Sequence, residues 1–168
     1  MKIGRITISD RASAGVYADR SGPEIERILR EKFGADAKFV AAVIPDEVEV
    51  ISGKLREFAD REHCDLIVTT GGTGITPRDV TPEATRAVLE KELPGFGELM
   101  RMQSFARVRT AILSRAVAGT RGRSLIVNLP GKPSAVAECL EVLADAIREG
   151  VAHLRGEDPH AEPPAQRP

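Results

Sequence analysis

The chain has 168 residues, enough for one domain with a sizeable core, and its apolar and charged fractions are those of an ordinary globular protein. A formal net charge of −1 argues against a general binder of nucleic acids or membrane surfaces. Two distant cysteines give no disulfide framework or metal-ligand spacing, and no apolar run is long enough to span a bilayer, so we expect a cytoplasmic protein.

Strand-like and helix-like patterns alternate through the first half of the chain. Short β-branched runs predict strands at residues 2–8, 37–44 and 66–70, each followed by apolar residues at helical spacing. The first helix begins at Ser21-Gly-Pro-Glu24, which has the form of a capping box, and Gly34 suits its end.

The third helix has its own start signals. Thr81 is a candidate N-cap, Pro82 fits the first helical position, and Glu83 suits the first turn. Apolar residues at helical spacing continue this helix to Leu93.

The second half of the chain changes pattern after Pro94-Gly-Phe-Gly97, which breaks the third helix. A short helix is predicted at 98–105, followed by a β-hairpin with arms at 111–119 and 124–129. A long helix then places Val136, Leu140, Leu143, Ile147, Val151 and Leu154 on its buried side.

This order predicts an α/β fold in three layers. The sheet should be mostly parallel, with helices on both faces and a β-hairpin in the C-terminal half. Residues 1–156 should form a single domain, and the Pro-rich residues 157–168 should be a disordered tail.

Polar loops follow four of the predicted strands. Because ligands bind at the carboxyl ends of strands in open α/β sheets, these loops should meet at one rim. Carboxylates, glycine N–H groups, hydroxyls and cationic side chains together suit a phosphorylated ligand with Mg²⁺. The loops are Ser9-Asp10-Arg11, Pro45-Asp46-Glu47, Thr70 to Asp79 and Asn128 to Lys132, and the hairpin adds Ser114 and Arg115.

The loop after the third strand carries Gly71, Gly72 and Gly74, followed by Arg78 and Asp79. Glycines let a ligand approach the backbone, so that several N–H groups can face an anion. The loop matches neither the Walker A motif nor the dinucleotide-binding glycine motif, and Gly131-Lys132 also fails as a Walker A site. It is therefore a different phosphate or pterin cradle, or only a turn.

Each of these features also has a purely structural interpretation. The glycines can serve a tight connection, and Asp46 can be the N-cap of the helix after it. Asp10 and Asp79 can tie down their own loops, and Asn128 can be a strand-end turn residue. The coincidence of all the polar loops at adjacent strand ends favours a ligand site.

Six ordered motifs resemble the MogA/MoaB family of molybdenum-cofactor enzymes, which also occurs as a domain of plant Cnx proteins and of gephyrin. The resemblance covers residues 1 to about 156, in order and with family spacing. The motifs are Ile8-Ser-Asp-Arg-Ala-Ser13, Ile44-Pro-Asp-Glu47, Thr69 to Ala84, Pro94-Gly-Phe-Gly-Glu98, Leu113-Ser-Arg115 and Asn128-Leu-Pro-Gly131.

The resemblance implies an adenylyl transfer in molybdenum-cofactor biosynthesis. Molybdopterin attacks Mg-ATP through its terminal phosphate, giving adenylyl-molybdopterin and pyrophosphate. It implies that Asp46 and Asp79 are catalytic and that Asp46 holds the metal. The positions expected to bind substrate or nucleotide are Ser9, Asp10, Gly71, Gly72, Thr73, Gly74, Thr76, Arg78, Ser114, Arg115, Asn128, Pro130, Gly131 and Lys132.

The resemblance also implies a homotrimer and a hand-over of the product to a molybdate-insertion protein. Two alternatives remain open at this point. One is a MoaB-type molybdopterin-binding protein, and the other is a scaffold that presents the pterin without adenylyl transfer.

Overall fold

The computed structural model describes residues 1–157. Apart from Glu157, the tail predicted at 157–168 lies outside the described residues. A six-stranded sheet with strand order β2-β1-β3-β6-β5-β4 forms the centre of the domain. Its strands are β1 (Lys2–Ile8), β2 (Lys38–Ile44), β3 (Leu66–Thr70), β4 (Lys91–Glu92), β5 (Ala118–Arg121) and β6 (Ser124–Leu129).

Parallel pairing runs through four neighbouring strands of this sheet. β1 pairs in parallel with both β2 and β3, and β3 pairs in parallel with β6. β5 and β4 then continue the sheet through antiparallel pairs. The loops after β1, β2, β3 and β6 therefore leave the sheet at one rim, as predicted.

Helices cover both faces of the sheet and close one hydrophobic cluster on each. α2, α5 and α6 contribute to the larger cluster, and α3 and α4 contribute to the smaller one. This confirms the predicted three-layer α/β architecture. The helices are α1 (Asp10–Ser13), α2 (Ser21–Phe33), α3 (Val48–Arg56), α4 (Thr81–Arg86), α5 (Pro94–Phe105) and α6 (Pro133–Arg155).

Two shorter helical segments complete the described chain. Glu57–Arg61 continues α3 as a π-helical turn, and Arg109–Leu113 forms a 3₁₀ helix after α5. Among residues 1–157, no helix combines the length and apolar character needed to cross a membrane.

The predicted hairpin is correct in its second arm and wrong in most of its first. Residues 109–113 are 3₁₀-helical, and only Ala118–Arg121 pair with β6. An apolar run this short fits either helix or strand, so the pattern could not separate them. The third predicted helix is also shorter than expected, because it ends at Arg86 and gives way to β4. Pro94 begins α5 instead of ending a helix.

Both predicted side-chain N-caps are wrong. The Ser21 hydroxyl donates to the carbonyl of Gly131 at 2.7 Å, and Asp19 accepts from the N–H of Gly22 at 2.9 Å in its place. The Thr81 hydroxyl donates to the carbonyl of Gly71 at 2.9 Å. Both hydroxyls therefore tie a helix start to a rim loop, which is a tertiary role that local sequence patterns do not reveal.

Candidate functional site

The glycine loop after β3 needs its glycines for geometric reasons. Gly71 and Gly72 have φ angles of +99° and +63°, in the left-handed region that favours glycine. A Cβ on Gly71 would overlap the carbonyl oxygen of Ile8, and one on Gly72 would overlap the Thr81 hydroxyl and lie 3.0 Å from Asp46 Oδ1. The loop is thus pressed against β1, α4 and Asp46 at once.

Asp46 is joined to the first rim loop by a reciprocal pair of hydrogen bonds. Its Oδ2 accepts from the N–H of Asp10 at 2.8 Å, and Oδ1 of Asp10 accepts from the N–H of Asp46 at 3.0 Å. Asp46 is therefore not an N-cap, since the cap position of α3 is Glu47 and has no side-chain cap bond.

Arg78 reaches from the glycine loop to the same pair. Its guanidinium donates to both carboxylate oxygens of Asp10, at 2.9 and 2.7 Å, and keeps the pKa of Asp10 below its ordinary value. The predicted binding residues Asp10 and Arg78 thus neutralise each other. The first three rim loops are linked through this ion pair and through Asp46.

Asp79 is held by its own loop. Its Oδ2 accepts from the N–H of Thr76 at 2.8 Å and from the Thr76 hydroxyl at 2.6 Å. Burial by itself would raise the pKa of Asp79, but the hydrogen bonds from Thr76 and the backbone of Gly74, together with the charge of Arg115, bring it below the ordinary value. Asp79 is therefore ionised at neutral pH.

The pKa of Asp46 is shifted in the opposite direction. Burial raises the pKa of its carboxyl, and the neighbouring charges of Asp10 and Asp79 raise it further, while the Asp10 N–H and Arg78 oppose this. Two carboxylates with oppositely displaced pKa values in one cleft are typical of a functional site.

Asp46 and Asp79 line one cavity of about 580 Å³, which we call the acidic cavity. It lies at the rim where the loops after β1, β2 and β3 meet. Its wall also contains the predicted residues Ser9, Gly71, Gly72, Arg78 and Gly131, and the unpredicted residues Thr7, Ile8, Tyr17, Ala18, Asp19, Arg20, Ser21, Thr70 and Pro133.

A second cavity, of about 770 Å³, lies on the other side of the glycine loop, and we call it the apolar cavity. Asp79 and Gly131 contribute to both cavities. Predicted residues in the second wall are Thr73, Gly74, Thr76, Ser114, Pro130 and Lys132. Apolar side chains of the wall include Ile75, Met100, Val108 and Leu113, and its unpredicted polar residues include Arg101, Ser104, Arg107 and Ser134.

Arg115 lines neither of these two cavities. Its side chain donates to the carbonyls of Gly74 and Asp79 and to the carboxylate of Glu83, and its N–H donates to the carbonyl of Thr73 at 2.9 Å. The structure thus places this predicted substrate contact behind the glycine loop, where it fixes the backbone.

Asn128 also lies away from both cavities. It is fully buried, and its amide donates to the hydroxyls of Thr69 and Thr85, each at 3.0 Å. This side chain connects β3, β6 and α4 beneath the rim. Of the predicted site residues, Asp10, Arg115 and Asn128 line neither cavity and bond to neighbouring residues of the rim.

No group of three or more His, Cys, Asp or Glu side chains within residues 1–157 is arranged to hold a metal ion. Asp46 offers an oxygen beside Gly72, inside the acidic cavity. This suits an ion such as Mg²⁺, which usually takes one or two protein carboxylates and completes its shell with substrate phosphates and water.

Sequence reasoning missed the Tyr17 segment of the acidic cavity and the helical part of the wall of the apolar cavity. Tyr17, Asp19 and Arg20 lie in a loop that carries no motif. The apolar wall comes from α5, the 3₁₀ helix and α6, which meet only in the folded chain. The one signal in the sequence was Tyr17, the only tyrosine of the chain, in the loop between the first strand and the first predicted helix.

Comparison with known proteins shows which family this chain resembles. A family model described as a probable molybdopterin binding domain matches residues 4–149. Molybdopterin adenylyltransferase of Helicobacter pylori strain J99 is 53% identical over 145 residues, covering 86% of this chain and 82% of that protein. The Escherichia coli K12 protein of the same name is 47% identical over 153 residues, covering 91% and 78%.

A solved structure extends the comparison to the fold. The molybdopterin biosynthesis enzyme MoaB of Thermus thermophilus is 42% identical, with a TM-score of 0.84, over 93% of this chain and 97% of that one. Both the sequence match and the fold match span nearly all described residues. The chain therefore belongs to the family of probable molybdopterin-binding domains.

Proposed function

We propose that the protein is a molybdopterin adenylyltransferase, which transfers the adenylyl group of ATP to molybdopterin and releases pyrophosphate in molybdenum-cofactor biosynthesis. The observation that carries this proposal is the pair of cavities that share Asp79 and Gly131 across one glycine loop. Two substrates that exchange a group need two sites that meet at one point.

The acidic cavity suits the nucleotide. Arg20 and Arg78 can meet phosphate oxygens, and the glycine loop leaves room for a phosphate close to the backbone. Arg78 is available for this if a phosphate replaces Asp10 as its partner. Phosphoryl-type transfer is mostly positioning and charge neutralisation, and these groups supply both.

The apolar cavity suits the pterin. Its wall offers apolar surface, while Arg101, Arg107 and Lys132 offer positive charge for the terminal phosphate of molybdopterin. Because Asp79 and Gly131 lie in both walls, that phosphate can approach the α-phosphate of a nucleotide in the acidic cavity. Asp79, ionised at neutral pH, is placed to orient the attacking group.

The proposal includes magnesium, held by Asp46 with the phosphates of ATP. Such an ion would neutralise charge on the phosphates, including that of the leaving pyrophosphate. Asp46 can accept this role because its Oδ2 is already fixed by the Asp10 N–H, so that the carboxylate has one orientation. Burial of Asp46 also strengthens its interaction with any cation in the cavity.

The proposed assembly is a homotrimer in the cytoplasm that passes its product to a molybdate-insertion protein. Met102 and Ile112 are 74% and 60% exposed, which is apolar surface that a neighbouring subunit could cover. Both cysteines are free and buried, which suits a reducing compartment. Light scattering after gel filtration gives the subunit count, and three copies are expected.

The test of the proposed activity is steady release of pyrophosphate from purified protein with molybdopterin and Mg-ATP. Turnover that requires both substrates is expected. A protein that binds molybdopterin but releases no pyrophosphate would contradict the enzyme assignment and favour the MoaB-type binding protein or scaffold. That alternative is included in the test because a MoaB structure shares this fold closely.

A further inference from the structure

Tyr17 is the aromatic side chain among the described residues that line the acidic cavity. It is also the only tyrosine of the chain, which contains no tryptophan. The residue keeps 46% of its surface exposed, although an aromatic ring gains free energy by burial. A half-exposed aromatic ring at the wall of a polar cavity is a surface on which a flat ligand can stack.

Two contacts hold Tyr17 in place, one at its hydroxyl and one over a single face of its ring. Its hydroxyl shares a hydrogen bond of 2.9 Å with the hydroxyl of Ser9. The guanidinium of Arg11 lies over the ring, 5.1 Å from its centre. Both partners come from the start of α1, so the ring is fixed relative to the rim before any ligand arrives.

The far end of the Tyr17 loop is anchored separately. Asp19 accepts hydrogen bonds from the Thr7 hydroxyl at 2.8 Å, from Arg5 at 3.0 Å and from the N–H of Gly22 at 2.9 Å. The loop is therefore tied to β1 and to the start of α2. A ligand that stacks on Tyr17 meets a prepared surface and loses less free energy in ordering it.

We propose that Tyr17 is the stacking platform for the adenine base of ATP in the acidic cavity, with the base on the ring face opposite Arg11. This inference rests on the proposed function, because it assigns a position to the base of the ATP substrate. Base–aromatic stacking tolerates any base, so Tyr17 would contribute affinity while the cavity and its phosphate contacts fix the orientation.

The pterin ring of molybdopterin is the competing flat ligand. The acidic cavity favours the nucleotide, because Arg20, Arg78 and Asp46 lie in the same wall as Tyr17 and match phosphates with a metal ion. The larger apolar cavity is available to the pterin on the other side of the glycine loop. A pterin bound against Tyr17 is therefore an outcome that would overturn the proposal.

The intrinsic fluorescence of the protein tests this without any turnover. Excitation of tyrosine reports on Tyr17 alone, so Mg-ATP and adenosine are each titrated into the wild-type protein, with N-acetyltyrosinamide correcting for absorbance by the base. Quenching by ATP and by adenosine, with none by tripolyphosphate, is expected. Three results would each overturn the proposal. These are equal quenching by tripolyphosphate, quenching by molybdopterin but not by ATP, and no response to ATP.

Three variants separate stacking from the Ser9 hydrogen bond and from loop structure. Tyr17→Ala is expected to weaken ATP binding, measured by calorimetry, roughly 5- to 150-fold, the range that follows from losing one base–aromatic stack. Tyr17→Phe keeps the ring and should stay within about 3-fold of wild type, well below the loss of a full stack. Val16→Ala is the matched control, because Val16 is 65% exposed in the same loop and does not line the cavity.

The kinetic signature should follow the binding. Tyr17→Ala should raise KM for ATP while KM for molybdopterin stays unchanged, and Tyr17→Phe should restore KM. Wild-type affinity of Tyr17→Ala for ATP would overturn the proposal. If instead ATP quenches Tyr17 but no adenylylated pterin forms, the stacking inference stands and the proposed function fails, so the two failures are distinct.

Discussion

The acidic cavity and the apolar cavity are built by different parts of the fold from different chemistry. The acidic cavity is made by loops that leave parallel strands at one rim, and it carries Asp46, Asp79 and two arginines. The apolar cavity is made where α5, the 3₁₀ helix and α6 approach the glycine loop, and most of its wall is apolar. The acidic cavity is suited to phosphates with a metal ion, and the apolar cavity is suited to a ring system that carries a phosphate.

The glycine loop contributes to both cavities, so that the proposed division into a nucleotide site and a pterin site can be tested by mutation. Asp79 and open backbone of the loop face the cavities. On the side away from the cavities, Arg115 donates to the carbonyl of Gly74 and to the carboxylate of Glu83. Variants in one cavity should therefore affect one substrate, and variants in the loop should affect both.

The largest expected effect comes from the carboxylates. Asp46→Asn and Asp79→Asn should each reduce kcat at least about 100-fold, because the first weakens the proposed magnesium ligand and the second removes the carboxylate that orients the attacking group. Pterin binding should persist in Asp46→Asn, since Asp46 does not line the apolar cavity. Asp60→Asn, which removes a carboxylate paired with Arg121 away from both cavities, is the control. Wild-type rates in both variants would remove these residues from the mechanism.

The loop itself should be nearly as sensitive. Gly72→Ala places a Cβ against Thr81 and Asp46 in a left-handed conformation, and should cost about 1–2 kcal/mol of unfolding free energy. Both substrates should bind more weakly, because the loop contributes to both walls. Denaturant unfolding and two binding titrations measure this. Gly53→Ala, where a Cβ meets nothing within 4 Å, should cause neither loss.

A variant of Arg115 tests whether contacts to the glycine loop from outside the two cavities affect catalysis. Arg115→Lys keeps the charge but loses the forked contacts to the Gly74 and Asp79 carbonyls, so kcat should fall about tenfold. Arg86→Lys on the neighbouring helix, where the arginine pairs with Glu92 on the surface, is the control. A rise in KM for one substrate with unchanged kcat would instead indicate direct contact with that substrate.

A smaller change should mark the apolar cavity alone. Val108 is 53% exposed and lies outside the glycine loop, so Val108→Ala leaves the core intact and removes only wall surface. KM for molybdopterin should rise roughly 5-fold, the effect of losing part of one aliphatic contact, with KM for ATP unchanged. Val16→Ala, at a similarly exposed residue that lines neither cavity, is the matched control. A change in KM for ATP would contradict the division.

The smallest effect is a shift in pH dependence. Activity should fall with decreasing pH as Asp46 becomes protonated, and this limb should lie above the ordinary pKa of aspartate because burial and nearby carboxylates raise it. Asp10→Asn removes one of those charges and releases Arg78, so the acid limb of kcat/KM should move to lower pH. Movement of the acid limb to higher pH would contradict the assignment of this limb to Asp46.

These two regions also differ in how far the sequence predicts them. The rim was predictable because the loops after parallel strands leave a sheet at one edge, and this rule places Asp46 and Asp79 there. Their expected catalytic role came from the family resemblance. The roles of Ser21 and Thr81 were not predictable. Their hydroxyls donate to carbonyls 110 and 10 positions away, respectively, instead of capping the helices that begin there. The apolar wall depends on the 3₁₀ helix at 109–113, whose short apolar run also fits a strand.

Transfer of isotopic label from ATP to molybdopterin distinguishes adenylyl transfer from binding alone. The protein is incubated with molybdopterin, magnesium and ATP labelled at either the α- or the γ-phosphate, and the pterin is then isolated. We expect α-label on the pterin, while γ-label leaves as pyrophosphate. Label from the γ-phosphate on the pterin, or no label from either, would contradict adenylyl transfer across the shared loop.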